Sequence, residues 1–361
     1  MPPTDCKIVP VGKRRDGGTR YWCLEHKADA TAKYGRRGRR CRYAGVPEIL
    51  PKETATIDVA QYQGGVALWG AVPPVYDTTR LAIDKGIHLH ARLDPQGPKI
   101  EDRTLRKVEL IHEGEMHSVS ELDAIYFMVS AVFGFSVKHI ACTRCGHPHL
   151  DKDWFSVHPH QSHLCAGCGK TFRDSETGIG NPVASVRALP FAKPYRPRRA
   201  RKRLRLRQAE YPGGIRIWGS NPAILWTSTA KPEAGVHVHA YTDSRGEPAI
   251  DDTFDKVTVD DTELDAKQVR MLMAQSALPH LAGRLCEVSC HSCGESAVDD
   301  GANAYTPRIE RDCGGCRRPV RASRRIRKVV SNPLIGTLER LAQAAPRSPQ
   351  VHDLGLLPET L

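Results

Sequence analysis

Eight cysteines stand in four Cys-x-x-Cys pairs: Cys142/Cys145, Cys165/Cys168, Cys290/Cys293 and Cys313/Cys316. In both halves of the chain the gap between pairs is 19 residues. A Cys-x-x-Cys turn can put two thiolates on one ion, and two such turns meeting across a loop complete a tetrahedron. Zn2+ favours that all-sulfur shell and lowers the thiol pKa enough for all four to bind as thiolates. Four thiolates leave no open coordination position, so these two sites are expected to be structural. Disulfides are the competing chemistry. The start, MPPTDCKIVP, lacks the apolar core of a secretory signal, so reduced, cytoplasmic cysteines are expected.

A second pattern is a repeated His-x-His. His88 and His90 lie in GIHLHA, His237 and His239 in GVHVHA. Two residues apart on a strand, both imidazoles point to the same face, where they can chelate a metal or simply hydrogen-bond within a polar sheet face. Asp94 and Asp102 follow the first pair and could add carboxylates; Asp243 and Asp251 follow the second. An HxH-plus-Asp centre can activate water for hydrolysis, which makes His88, His90, Asp94 and Asp102 the catalytic candidates. Further candidates flank the first cysteine pairs: His147, His149, Asp151, Asp153, His158, His160 and His163. The equivalent positions near the second pairs are Glu295, Ala297, Asp299, Gly301, Thr306, Arg308 and Arg311, so only the first aspartate recurs. A metal site built on these histidines would exist in the first half alone.

The stretches CTRCG…CAGCG and CHSCG…CGGC resemble zinc ribbons, with glycine after Cys145, Cys168 and Cys293 suiting the open turn of each knuckle. The resemblance covers about 27 residues in each half. It implies a small metal-stapled module that binds nucleic acid, binds protein, or only holds a domain together. A third zinc site is expected from Cys6, Cys23, His26 and Cys41, with one tight Cys-x-x-His pair. Around it, basic residues that include Arg36, Arg37, Arg39 and Arg40 interleave with Tyr21, Trp22, Tyr34 and Tyr43. That mixture suits phosphate contact with base stacking. A basic arm with incidental cysteines is the plainer alternative.

The elements that must position these residues occur twice. Residues 62–108 align with 211–257 without a gap at a constant offset of 149, with 17 identities in 47 positions. YQGGVALWGAVP answers YPGGIRIWGSNP, and the match resumes at ELDA, at the cysteines, and at Asn181-Pro182 and Asn332-Pro333. In each copy GGVALWG or its counterpart, and the His-x-His segment, read as strands, with 108–112 as a further one. ELDAIYFMVSAVFGF and ELDAKQVRMLMAQSALPHL then read as helices, the first with Glu121 and Asp123 at its positive end. Strands, helix, then cysteine module make the class α+β. The expected layout is a basic N-terminal Cys/His module over 1–50, repeat 1 over 57–190, an Arg-rich linker over 191–208, repeat 2 over 209–340 and a loose tail over 341–361. Trp69 and Trp218, in the matched GG-x3-WG segments, are expected in the core rather than as stacking platforms. No P-loop and no Gly-x-Ser-x-Gly elbow occurs.

The 361 residues carry a formal net charge of +12, unevenly spread. Segments 1–50, 191–208 and 308–328 hold net charges of +7, +9 and +7, which leaves the remainder acidic. Such local excess suits phosphate capture, with Arg198, Arg199, Arg201, Lys202, Arg203, Arg205 and Arg207 as the candidate contacts. A solvated, self-repelling linker is the competing reading of that run. The longest uncharged apolar stretch, 124–137, falls short of the roughly 20 residues a membrane helix needs. The sequence therefore leads to a zinc-binding protein with two structural zinc ribbons that contacts nucleic acid. The alternatives are a metal-dependent hydrolase and a protein-interaction scaffold with a protein partner.

Overall fold

The computed structural model describes residues 53–79, 81, 85–228, 230–243, 247–321 and 328–344, and the backbone of three short strands nearer the N-terminus. Those strands, Ile8–Lys13, Thr19–Cys23 and Ala28–Ala30, form one antiparallel sheet.

An uncharged run with Val66, Leu68 and Trp69 among small residues makes GVALWGA a strand over Gly65–Ala71, buried along most of its length. It pairs antiparallel with Gly86–Arg92, which pairs in turn with Glu101–Leu105. The second half repeats the arrangement with Gly214–Gly219, Val236–Tyr241 and Ile250–Phe254. Registers correspond as well: Trp69 faces His88, and Trp218 faces His237.

Neither sheet is completed by its own half. Pro73 and Pro74 follow the first strand and Pro222 follows its counterpart, and proline cannot donate to a ladder. The chain then crosses to the other sheet. Tyr76–Asp77 pairs with Arg216 and Ile217, while Leu225–Trp226 pairs with Ala67 and Leu68. Thr78 and Thr227, at matching positions, anchor the exchange: their hydroxyls accept from Ile215 N–H at 2.9 Å and Val66 N–H at 2.7 Å. The crossing chains pass so close that a Cβ on Gly65 would lie 2.5 Å from Ser228 Cα, and one on Gly214 would lie 2.6 Å from Thr79 Cα. Both glycines also have φ near +105°, a conformation that disfavours any side chain.

Two of the four helices among the described residues fall near where the sequence places them; Val183–Arg187 and Pro333–Ala344 are additional. Glu121–Val132 starts with a capping box between Ser120 and Asp123. The second helix, Ala266–Ser276, is capped by Asp265; Leu264 sits just outside it, on the strand Thr262–Leu264. Met128 and Val129 of one helix share a single buried cluster with Val269, Leu272 and Met273 of the other. A continuous core across both halves, with the exchanged strands, fixes the two sheets relative to each other. The basic run after residue 191 contributes strands at Arg198–Arg199 and Arg203–Leu206, the latter parallel to Lys256–Val259 with Leu206 fully buried. No helix among the described residues is long and apolar enough to cross a membrane.

Candidate metal centres and the cavity between the halves

The cysteines meet as two quartets. Cys142, Cys145, Cys165 and Cys168 converge, as do Cys290, Cys293, Cys313 and Cys316. The closest sulfur pairs are 3.6 Å (Cys145–Cys165) and 3.9 Å (Cys142–Cys168) in the first, and 3.4 Å (Cys293–Cys313) and 3.5 Å (Cys290–Cys316) in the second. Sulfurs at ~2.3 Å from a tetrahedral ion lie about 3.8 Å apart, so each quartet can hold one metal ion. Each knuckle turns through a left-handed residue: Gly146, Gly169 and Gly294, with φ of 69°, 69° and 75°, and Arg317 at 57° in the fourth. Backbone N–H groups of Ser292 and Cys293 bring the Cys290 thiol down to about 6, so it is readily available as a thiolate. Around each quartet lies only a small apolar cluster, such as Ile140 and Phe172 in the first. Such a cluster is too small to fold a module by itself.

The His-x-His strands form two further groups. In the first, His88 Nε2 and His90 Nε2 are 2.8 Å apart and lie 3.4 and 3.2 Å from Asp102 Oδ1. In the second, His237 Nε2 and His239 Nε2 are 2.9 Å apart and lie 3.5 and 3.3 Å from Asp251 Oδ1. Adjacent donors around an ion at ~2.1 Å are separated by about 3.0–3.4 Å, and the separations in both triads, 2.8–3.5 Å, lie close to that range. The rings are aimed from behind. Thr104 Oγ1 lies 3.3 Å from His88 Nδ1, and Thr253 Oγ1 lies 3.2 Å from His237 Nδ1. Trp69 and Trp218 pack edge-on against His90 and His239, with centroids 5.0 and 4.9 Å apart.

Burial, reinforced by the neighbouring imidazole, pushes His88 down to about 3 and His237 to about 4, so both rings are neutral and able to ligate. Burial opposes ionisation of Asp102, but hydrogen bonds from His90 and Lys99 hold its carboxyl far below the usual range. A hydrogen bond from His239 does the same for Asp251. Lys99 contacts Asp102 directly, and its Nζ lies 3.6 Å from Asp251 Oδ2, so one ammonium spans both carboxylates.

Both triads line the same cavity, of about 460 Å3. The strand exchange makes its two ends unlike. Trp226 arrives beside Trp69 (centroids 5.9 Å), with Tyr195 against Trp226, so the first end is aromatic. Asp77 arrives beside Arg216, whose Nε lies 3.1 Å from Asp77 Oδ2. With Tyr241 near His239, the second end is polar.

Trp69 and Trp218 are therefore cavity walls as well as packing residues, which corrects the expectation that they only fill the core. Asp94 stays out of the site: its exposed carboxylate accepts from Gln96 N–H in the turn after the strand. Of the four catalytic candidates, His88, His90 and Asp102 come together. Arg198, Arg199 and Lys202 pair with Glu233, Asp255 and Asp252 at 2.6–2.7 Å, while Arg201, Arg203, Arg205 and Arg207 are exposed. Cys23 ends a described strand, whereas Cys6, His26, Cys41 and Arg36, Arg37, Arg39 and Arg40 lie outside the described residues. Trp226 and Tyr195, which line the cavity, and Lys99, which contacts the carboxylates of both triads, are additions that motif reading missed, because only tertiary placement brings them there. No protein-family model, curated protein or solved structure matches the chain.

Proposed function

We propose that the protein is a metal-dependent hydrolase that acts on nucleic acid in the cavity between its halves, with the two cysteine quartets as structural zinc sites. On this reading the body is two copies of one unit that exchange a strand. One observation carries it: two His-x-His/Asp triads, each with the spacing of a metal centre, open onto a single cavity. A divalent ion held by three protein ligands keeps open positions and supplies an activated water. His88, His90 and Asp102, with His237, His239 and Asp251, would hold such ions. Trp69, Trp218 and Trp226 narrow the cavity and offer π-faces to a base.

The exposed arginines favour a polyanionic substrate. Tyr195 stands in the cavity wall, and Arg198 binds Glu233 on the same wall. The same segment continues to Arg203, Arg205 and Arg207, each exposed, with Leu206 buried. Such a ridge would hold phosphates by charge, with steep salt dependence.

The test is hydrolysis of labelled single- and double-stranded DNA and RNA by the full chain with Zn2+, Mn2+ or Mg2+. Cleavage that falls on the order of a hundredfold or more in His88→Ala/His90→Ala, with both thiolate sites still loaded, supports the reading. Nucleic-acid binding without cleavage under every metal would leave a binding protein. Iron in the triads with dioxygen-dependent turnover would replace hydrolysis by oxidation.

A further inference from the structure

We infer that a divalent metal ion occupies a buried cluster formed by His149, Asp151 and His163 beside the first cysteine quartet, separate from the quartets and from the cavity. The three residues are 4 %, 4 % and 1 % exposed, and each offers one donor atom within 4.8 Å of the other two. Asp151 Oδ2 accepts from Gly180 N–H at 2.7 Å, and Asp151 N–H donates to Gly180 O. The other oxygen, Oδ1, lies 2.7 Å from His149 Nε2 and 3.3 Å from His163 Nδ1. A third ring, that of His160, approaches Oδ1 at 3.2 Å from the more open side.

Two observations point to a bound cation. The first is geometric: ring nitrogens of both buried histidines approach one carboxylate oxygen, Asp151 Oδ1, and one donor atom from each of the three residues lies within 4.8 Å of the others, close enough to share one ion. The nitrogens on the far side of the rings, His149 Nδ1 and His163 Nε2, have no hydrogen-bond partner. The second is internal. Asp299, 0 % exposed, brackets Ser331 as Asp151 brackets Gly180, accepting from its N–H at 2.8 Å and donating to its carbonyl at 3.0 Å. There the positions of His160 and His163 are Arg308 and Arg311, and both guanidiniums grip the carboxylate. The position of His149 is Ala297. Where the second half supplies fixed positive charge, the first half supplies three imidazoles, two of them deeply buried. A buried carboxylate needs a counter-charge, and neutral imidazoles with a carboxylate form a ligand set for Zn2+ or a similar ion.

The test is anomalous scattering from crystals of the full chain grown with zinc, with the two thiolate sites as internal references. The expected result is a further peak at about 2.0–2.3 Å from a ring nitrogen of His149, a ring nitrogen of His163 and an oxygen of Asp151. His160→Arg/His163→Arg, which imports the arginine pair, should lose one ion per chain by elemental analysis while keeping a cooperative thermal transition. His149→Ala provides the milder variant if that pair fails to fold. Strong thiolate peaks with no peak at this cluster, or an unchanged metal count in either folded variant, would overturn the assignment. A proton on His160 would then be the counter-charge. Because the cavity triads are untouched, either outcome leaves the proposed function to its own test.

Discussion

The two halves treat the same kind of residue in opposite ways at two depths. Around the cavity, His88, His90 and Asp102 answer His237, His239 and Asp251 atom for atom, with donor separations that agree within about 0.1 Å. Beside the cysteine quartets, Asp151 and Asp299 hold the same backbone bracket, yet one is ringed by imidazoles and the other by guanidiniums. The halves thus agree where two sets of donors meet in one shared space. They differ where each half needs only some positive charge next to a buried acid. The difference separates what a cavity demands geometrically from what burial demands electrostatically.

The cysteine modules should break most completely. Cys145→Ser removes one of four thiolates from the first quartet, and a structural ion of this kind contributes on the order of 10 kcal/mol to folding. The variant should lose that ion and the fold of the first module while Cys290, Cys293, Cys313 and Cys316 keep theirs. Elemental analysis with limited proteolysis reads both, and full metal content would contradict the assignment. Next in size, Asp299→Asn strands the buried guanidinium of Arg311 and unpairs that of the half-buried Arg308. It should cost about 3–5 kcal/mol in chemical denaturation. A cost below ~1 kcal/mol would show that the arginines find other partners.

The cavity histidines give a smaller, pH-dependent effect. His88 and His237 have depressed pKa values in the folded chain, about 3 and 4. The unfolded chain takes up their protons first, at about 6.5. Stability from these rings is therefore complete above about pH 6.5 and declines as pH falls toward the folded values. The side chains keep 35 % and 32 % of their surface open, which limits the loss to about 1 kcal/mol per ring at pH 5.5. His88→Gln/His237→Gln should flatten the dependence of melting temperature on pH between 7 and 5; an unchanged slope would mean that the rings are solvated. Smallest of all is the fourth knuckle. Arg317 holds a left-handed conformation that glycine holds in the other three, so Arg317→Gly should stabilise by up to ~1 kcal/mol and Gly294→Ala should destabilise by a similar amount.

Much of this was legible from residue types and spacing. The quartets follow from Cys-x-x-Cys pairs at matched separation, because local turns fix where those sulfurs point. Two helices follow from ELDA ahead of apolar runs, with Glu121 and Asp123 at the positive end of the first, whereas the caps Ser120 and Asp265 emerge only from the structure. His88 and His90 share a face because a strand alternates with period two. The shared cavity was not legible. It depends on Tyr76–Asp77 and Leu225–Trp226 crossing between sheets, and two-residue strands carry no periodicity to read. Asp94 and Asp102 looked equivalent as acids, yet one terminates in a turn and the other stands on the adjacent strand opposite His90. Only strand register separates them.

The central claim is that the paired triads bind metal. Its most direct measurement is ion-by-ion metal analysis of the full chain beside His88→Ala/His90→Ala/His237→Ala/His239→Ala, both loaded with zinc and then dialysed. The account predicts that the wild-type chain retains ions beyond the two thiolate sites, and that the quadruple variant loses the cavity ions while keeping the thiolate pair. Equal metal content in the two folded proteins would contradict it.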